Sequence, residues 1–375
     1  MTTNGDPPGL DAAPQLLEPI AVSQKRRRQK LLPTISDVAR RAGVSPMTVS
    51  RVINGEGNVR ESTREVVKTA IAALNYAPNP AARSLAGAGQ LRIGLLYSNP
   101  SAGFLSEFLL GSLDQAARND VQIVVEKCEL GEHELAVSQH LIDSGIDGII
   151  LPPPLCEAAA VLELLAEAGV PTVSVAASRP EADMLAIRID DREAALTMTR
   201  HIMALGHRRI GFIRGDPNLS ASAQRFDGFA AALEEAGIAL DPTLIADGLF
   251  TYRSGLDAAE RLLDVADPPS AIFSANDDMA AATVAVAHRR GLDVPGDLTV
   301  CGFDDTTLAT AIWPELTTIH QPIADMSRTA VDLIVSAIRQ GRAGGEVERH
   351  HLLDYTLIRR QSDAAPRRRP GTGSA

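Results

Sequence analysis

Three loops of this 375-residue chain carry adjacent carboxylates: Asp190/Asp191, Asp277/Asp278 and Asp304/Asp305. Converging carboxylates can hold a divalent metal, or share general acid and base work in glycoside hydrolysis. Neighbours within one loop need not converge, and no nucleophile, general acid or metal constellation is completed by them. His133 opens "HELAV", but Val137 stands where a zinc protease needs its second histidine. Gly87 and Gly89 look like the start of a dinucleotide fingerprint. They precede a strand instead of following one, and Arg92 takes the third glycine's place. These residues indicate no enzyme, no metal and no cofactor.

A different chemistry is concentrated in "TISDVARRAGVSPMTVSRVIN", residues 34–54. Arg51 suits guanine through two hydrogen bonds, and Met47 suits a thymine methyl. The hydroxyls of Thr48 and Ser50 suit phosphate oxygens. Two short helices must position them. Thr34 followed by Asp37 is a capping-box-like start with Asp in place of the usual Glu. Ile35, Val38, Ala39 and Ala42 then give a narrow apolar stripe, and Gly43 supplies a left-handed stop. Ser45 can cap a second helix with Pro46 at its first position. On that helix Val49, Val52 and Ile53 share one face, while Pro46, Met47, Ser50 and Arg51 share the other. Two short helices joined by a Gly-containing turn form a helix-turn-helix, which offers its second helix to the DNA major groove. Two capped helices that merely pack together would show the same caps and stripes.

Charge is uneven. From Lys25 to Arg92 there are thirteen basic and four acidic residues, a balance of +9; the whole chain carries −11, so the rest carries −20. A basic head on an acidic body fits a polyanion-binding module attached to something else, or a solvated charged face. Aromatics are only 3%, with Ala, Gly, Leu and Val abundant, which suits an α/β body better than a β-sandwich. The three cysteines, Cys128, Cys156 and Cys301, are far apart, so no disulfide framework is indicated and a reducing cytoplasm is the simplest setting. No apolar run approaches the ~20 residues of a membrane helix. The first thirty residues lack the basic-then-apolar order of a signal peptide and read as a disordered leader; "SDAAPRRRPGTGSA" reads as a disordered tail.

From Leu91 onward apolar strands alternate with helices in two successive series, the second beginning at Asp190. Such alternation gives parallel sheets covered by helices. Two series imply two similar subdomains with a cleft at the strand C-termini.

The head resembles the LacI/GalR family of transcription factors, whose opening reads T-I-x-D-V-A-x-x-A-G-V-S-x-x-T-V-S-R-V-x-N. Nearly every fixed position is matched from Thr34 through Asn54. The resemblance continues in "ALGHRRIGFI", "ANDDMA", "DLTVCGFDD" and "PELTTIHQP", and spans roughly residues 33–361. It implies an all-α helix-turn-helix head on two doubly wound α/β subdomains of the type I periplasmic-binding-protein kind. The expected layout is a disordered basic leader over 1–32, a DNA-binding domain over 33–78 and a hinge helix or linker over 79–90. An effector-binding and dimerisation domain follows over 91–361, then a tail over 362–375. The body's N-subdomain takes about 91–189 and 322–350, and its C-subdomain about 190–319 and 351–361, with crossings near 189/190, 319–321 and about 350. A third helix in "ESTREVVKTAIAALNYAPN" should turn Val66, Val67, Ala70, Ile71 and Leu74 inward.

The family pattern implies DNA contacts from Thr34, Ser45, Pro46, Met47, Thr48, Ser50, Arg51 and Asn54. It also implies a hinge at Asn79, Arg83, Ser84 and Leu85, with the leucine as a minor-groove wedge. For the effector it implies Phe104, Leu105, Arg225, Phe250, Asn276, Asp277 and Asp304. Aromatic faces would cover C–H patches while Arg, Asn and Asp fork onto paired hydroxyls. Two positions depart from the pattern: "LPPP" from Leu151, and Ala176, each where relatives offer a polar group. The expectation is a cytoplasmic homodimeric repressor of carbohydrate-use genes on pseudo-palindromic double-stranded DNA, with no membrane partner. Its effector is expected to be a sugar, with a purine as the alternative. A solute-binding protein or a sugar-processing enzyme of the same body fold is the rival class.

Overall fold

A computed structural model describes residues 34–53, 59–74, 90–129, 131–178, 180, 183–341 and 348–367. Asn54, Asn79, Arg83, Ser84 and Leu85 lie outside the described residues, as do the leader and the hinge segment. The chain divides into two units, Met1–Gly89 and Gln90–Ala375.

The first unit holds α1 (Ile35–Ala42), α2 (Pro46–Ile53) and α3 (Glu61–Leu74). The carboxylate of Asp37 accepts from the backbone N–H of Thr34 at 2.9 Å and from its hydroxyl at 2.7 Å. Those bonds, with the backbone one foremost, hold the Asp37 carboxyl below its usual range. Gly43 takes φ 65°, the left-handed conformation that ends α1. Ser45 Oγ accepts from the Thr48 N–H at 3.2 Å and starts α2. Val38, Ala39, Val49, Val52, Val67 and Ala70 close the small core between the three helices. Val66 departs from its expected inward place: it is 51% exposed, because Val67 and Ala70 already set the buried stripe of α3.

The second unit runs β1 (Arg92–Tyr97), α4 (Ala102–Asn119), β2 (Gln122–Lys127), α5 (Glu134–Asp143), β3 (Gly148–Leu151), α6 (Ala159–Glu167), β4 (Thr172–Val175), β5 (Leu185–Arg188) and α7 (Asp191–Ala204). It continues through β6 (Ile210–Arg214), α8 (Ser220–Glu235), β7 (Ile245–Asp247), α9 (Tyr252–Leu263), β8 (Ala271–Ser274), α10 (Asp277–Arg289), β9 (Thr299–Cys301) and α11 (Thr307–Ala311). The last elements are β10 (Thr318–His320), α12 (Ile323–Gly341), β11 (His350–Leu352) and β12 (Thr356–Ile358).

One sheet has the order β11-β5-β4-β3-β1-β2 and a second has β7-β6-β8-β9, every pairing in both being parallel. Strands such as Gly148–Leu151 and Ala271–Ser274 are buried along their whole length, as parallel sheets covered on both faces require. The two sheets define two lobes, and antiparallel β10 and β12 lie together in a separate two-stranded sheet.

Two boundaries differ from the sequence reading. Strand β11 pairs with β5 of the first lobe, so His351 and Leu352 belong to that lobe and the last crossing falls at 353–355. The start of the supposed tail is built into the second lobe. Ser362 donates its hydroxyl to the Val300 carbonyl at 2.5 Å, and Asp363 accepts from Thr317 at 2.6 Å. Both residues are buried, because this polar segment satisfies the edge of β9.

Candidate functional site

In the head, the apolar face of α2 goes to the core through Val49 and Val52. Its other face is left at the surface: Met47 is 65% exposed, Pro46, Ser45 and Arg51 are exposed, and Thr48 and Ser50 are half-buried. Thr48 also shares a 2.9 Å hydrogen bond with the Ser45 hydroxyl. An exposed arginine and an exposed thioether on a capped helix stand where a DNA groove would meet them.

In the body, a cleft of about 460 Å³, counting space open to solvent, gathers residues from both lobes. Phe104, Arg225, Phe250, Asn276 and Asp304 line it, as do Asn99, Ser101, Pro153, Pro154, Ala176, Leu219 and Gln321. Two expected residues do not. Leu105 follows Phe104 on α4 and points elsewhere, as neighbours on a helix must. Asp277 is fully buried beneath the cleft: Thr318 donates to its Oδ1 at 2.7 Å, and the Thr306 N–H to its Oδ2 at 2.8 Å. Burial, with Asp304 nearby, raises its carboxyl well above the usual range.

Arg225 is the hub. It sits on α8, which presses on α7 through Gly228; a Cβ there would lie 2.1 Å from the Arg192 carbonyl oxygen. That approach lets Arg225 Nε donate to Asp191 at 2.9 Å, while Nη1 donates to the Ala275 carbonyl at 2.6 Å and to Asp304 at 3.3 Å. Its guanidinium lies 3.6 Å from the Phe303 ring centroid and 5.7 Å from that of Phe250. None of these bonds uses Nη2.

Asp304 accepts from Gln321 Nε2 at 2.7 Å as well as from Arg225. Burial pushes its pKa up to about 7, against the pull of Arg225. Gln321 Oε1 is buried and has no hydrogen-bond partner among the described residues. Gln321 carries no expected role from the sequence; its one local signal is a polar residue between β10 and a proline. Asn276 spends its side chain on structure, accepting from Met279 N–H and donating to the Phe250 carbonyl, both at 3.0 Å. Ala176, Phe250 and Asp304 all have positive φ, at 60°, 58° and 105°. Non-glycine residues held there cost of order 1–3 kcal/mol each, and such strain clusters at functional sites.

The lobes are bridged around the cleft. Ser101, which caps α4 in the first lobe, donates to Asp278 on α10 in the second at 2.6 Å. Burial raises the Asp278 carboxyl, opposed by this bond. Glu157 of the first lobe accepts from the Ser220 N–H at 2.8 Å and from the Ser220 hydroxyl, at the first turn of α8. The residue before that helix is Leu219, which cannot cap it.

Among the described residues no cluster of His, Cys, Asp and Glu could hold a metal, and no helix is long and apolar enough to cross a membrane.

Residues 34–79 match the bacterial regulatory proteins of the lacI family, and residues 199–362 match the periplasmic binding protein-like domain. Catabolite control protein A of Priestia megaterium is 35% identical over 303 residues, 80% of this chain and 91% of that protein. The HTH-type transcriptional regulator CelR of Thermobifida fusca is 36% identical over 323 residues, 84% of this chain and 93% of that protein. Among solved structures, a transcriptional regulator CelR–cellobiose complex is similar with TM-score 0.68 and 32% identity, over 88% of this chain and 99% of that one. A Lac repressor dimer bound to operator and an anti-inducer is similar with TM-score 0.70 and 29% identity, over 89% and 99%. A capped helix-turn-helix, a two-lobed body and identity sustained over four-fifths of the chain place this protein in the lacI family of bacterial regulatory proteins, as a DNA-binding regulator of transcription.

Proposed function

We propose that this chain is a cytoplasmic repressor of carbohydrate-use genes, acting as a homodimer on a pseudo-palindromic operator and controlled by a sugar in the cleft. The chain acts as a regulator and not as an enzyme, a reading supported by relatives that are transcriptional regulators. The observation that carries the reading is the convergence of Arg225, Asp304 and Gln321 opposite Phe104, with Phe250 beside them. Donors and acceptors on one side and ring faces around them are what a polyol needs. The similarity to a regulator solved with cellobiose supports the same class of ligand. Two copies related by a twofold axis would present two α2 helices to two half-sites.

The cleft joins two lobes, so a ligand that touches both favours one lobe pose over another. That preference becomes control of DNA affinity only if the poses differ in how they present the heads. Contacts to phosphate from Thr48, Ser50 and the basic side chains of the head make the affinity fall with salt.

The test joins two measurements on the full chain. Thermal shift against neutral mono- and disaccharides identifies binders, and fluorescence anisotropy with operator DNA is repeated with and without each binder. A binder that changes operator affinity at least about fivefold meets the expectation. A panel with no binder, or a binder that leaves operator affinity unchanged, overturns it.

A further inference from the structure

Four side chains stitch the lobes together at two helix starts. Ser178 follows β4 in the first lobe, and Glu157 lies between β3 and α6 of the same lobe. Asp191 begins α7 and Ser220 begins α8 in the second lobe. Ser178 reaches both helices at once. Its N–H donates to the Ser220 hydroxyl oxygen at 3.0 Å, and its own hydroxyl donates to Asp191 Oδ2 at 2.6 Å. The Ser220 hydroxyl donates in turn to Glu157. Ser178 itself is not among the residues lining the cleft.

Asp191 joins this bridge to the cleft. Its Oδ2 takes the Ser178 hydroxyl, and its Oδ1 takes Arg225 Nε at 2.9 Å. The carboxylate is buried, so each charge-assisted bond to it is stronger than it would be in water. Arg225 lines the cleft and also donates to Asp304. One buried anion is thus shared between a serine of the first lobe and the arginine that faces the ligand space. Its two oxygens belong to one rigid planar group. A ligand that shifts Arg225 turns that group, and the oxygen held by Ser178 turns with it. At 2.6 Å the Ser178 bond is as short as a hydroxyl on a carboxylate ordinarily becomes, which leaves it little slack.

From this shared carboxylate we infer that Ser178 is a positioning residue for the regulatory response: it converts a shift of Arg225 into a change in how the first lobe holds the starts of α7 and α8. This rests on the reading above in that a cleft ligand controls DNA affinity, and not on that ligand's being a sugar.

Two measurements on the full chain test it. The first needs no ligand. Urea unfolding of the wild type, Ser178→Ala, Arg225→Lys and the double variant forms a cycle between two side chains that bond different oxygens of Asp191. The double variant's loss of unfolding midpoint should depart from the sum of the two single losses. Losses that simply add overturn the relay. The second measurement reads the response. Each protein is titrated calorimetrically with glucose, galactose, xylose and cellobiose, and operator affinity is read by anisotropy with and without each sugar that binds. Ser178→Ala keeps the backbone N–H and every cleft-lining side chain. It should bind sugar within about threefold of the wild type, while the sugar's effect on operator affinity falls from about fivefold or more to under about twofold. Ser178→Thr keeps a hydroxyl and should restore the response. A full response in Ser178→Ala, or one that threonine does not restore, overturns the role of the hydroxyl. Loss of sugar binding together with the response makes Ser178 a structural residue and overturns it too. A wild type that binds none of the four sugars counts against the sugar reading, and the ligand-free cycle then decides this inference by itself.

Discussion

Asp304 offers a quantitative test of the cleft's electrostatics through Asp304→Asn. Burial raises the Asp304 pKa from 3.8 to about 7. A raised acid pKa means the folded protein holds the proton more tightly than the unfolded chain. Asp304 is therefore harmless to stability below pH 4, and its cost grows as pH rises, levelling off above pH 7. Three pH units at 1.36 kcal/mol each make about 4 kcal/mol in all, of which about 2 to 3 kcal/mol accrues between pH 5 and pH 8. Asparagine keeps the acceptor oxygen that Gln321 and Arg225 use, tolerates positive φ and cannot ionise. Asp304→Asn should therefore gain on the wild type steadily across that interval. Urea unfolding of both proteins at pH 5, 6, 7 and 8 reads the difference directly. A stability difference that stays constant with pH, or grows in the wild type's favour, refutes the argument. The same proton bears on the ligand. A sugar hydroxyl donates more strongly to a carboxylate than to the protonated acid, so sugar affinity should rise with pH through about 7 and lose that dependence in the variant.

Arg51→Ala should cost about 1–3 kcal/mol on the cognate operator and relax preference at one base pair, checked by anisotropy against single-base variants; equal losses on cognate and scrambled DNA would make the residue a phosphate contact. Arg225→Ala leaves Asp191 and Asp304 buried without their cation, so it should lose about 3–5 kcal/mol in urea unfolding as well as ligand binding; wild-type stability would show that the network is not structural. Gly228→Ala drives a Cβ into the backbone of α7, and should lower stability by about 1–3 kcal/mol as overpacking does; an unchanged melting temperature would contradict that close approach.

Local signals were readable in the sequence. The caps at Thr34, Gly43 and Ser45 act within four residues, and each forms where the sequence places it. Alternating strands and helices likewise foretell two parallel sheets, because covered strands need continuous apolar runs. What escaped were relations across long separations. Asp277 and Asp304 look alike as first members of acidic pairs, yet Thr306 and Thr318 draw Asp277 into the interior while Asp304 stays at the cleft. The family pattern implies a ligand role for Arg225; its partners Asp191 and Asp304, 34 and 79 positions away, make it equally a keystone of the second lobe. Ser362 and Asp363 sit in a stretch whose polarity suggested a loose tail, and only the unsatisfied edge of β9 gives that polarity a purpose. Gln321 stayed silent because nothing local shows that its oxygen lacks a donor.

The carboxylate of Glu157 finishes a helix 63 residues further along the chain and in the other lobe. A borrowed cap of this kind is worth about 0.5–2 kcal/mol, and it is lost when the lobes part. The resting protein is thereby weighted about two- to thirtyfold toward the bridged pose before any ligand arrives. Apparent affinity scales with the fraction of molecules already competent to bind. Where the bridged pose is the one that takes the ligand, replacing Glu157 with alanine raises the ligand concentration at which the regulator responds, with every ligand contact left in place.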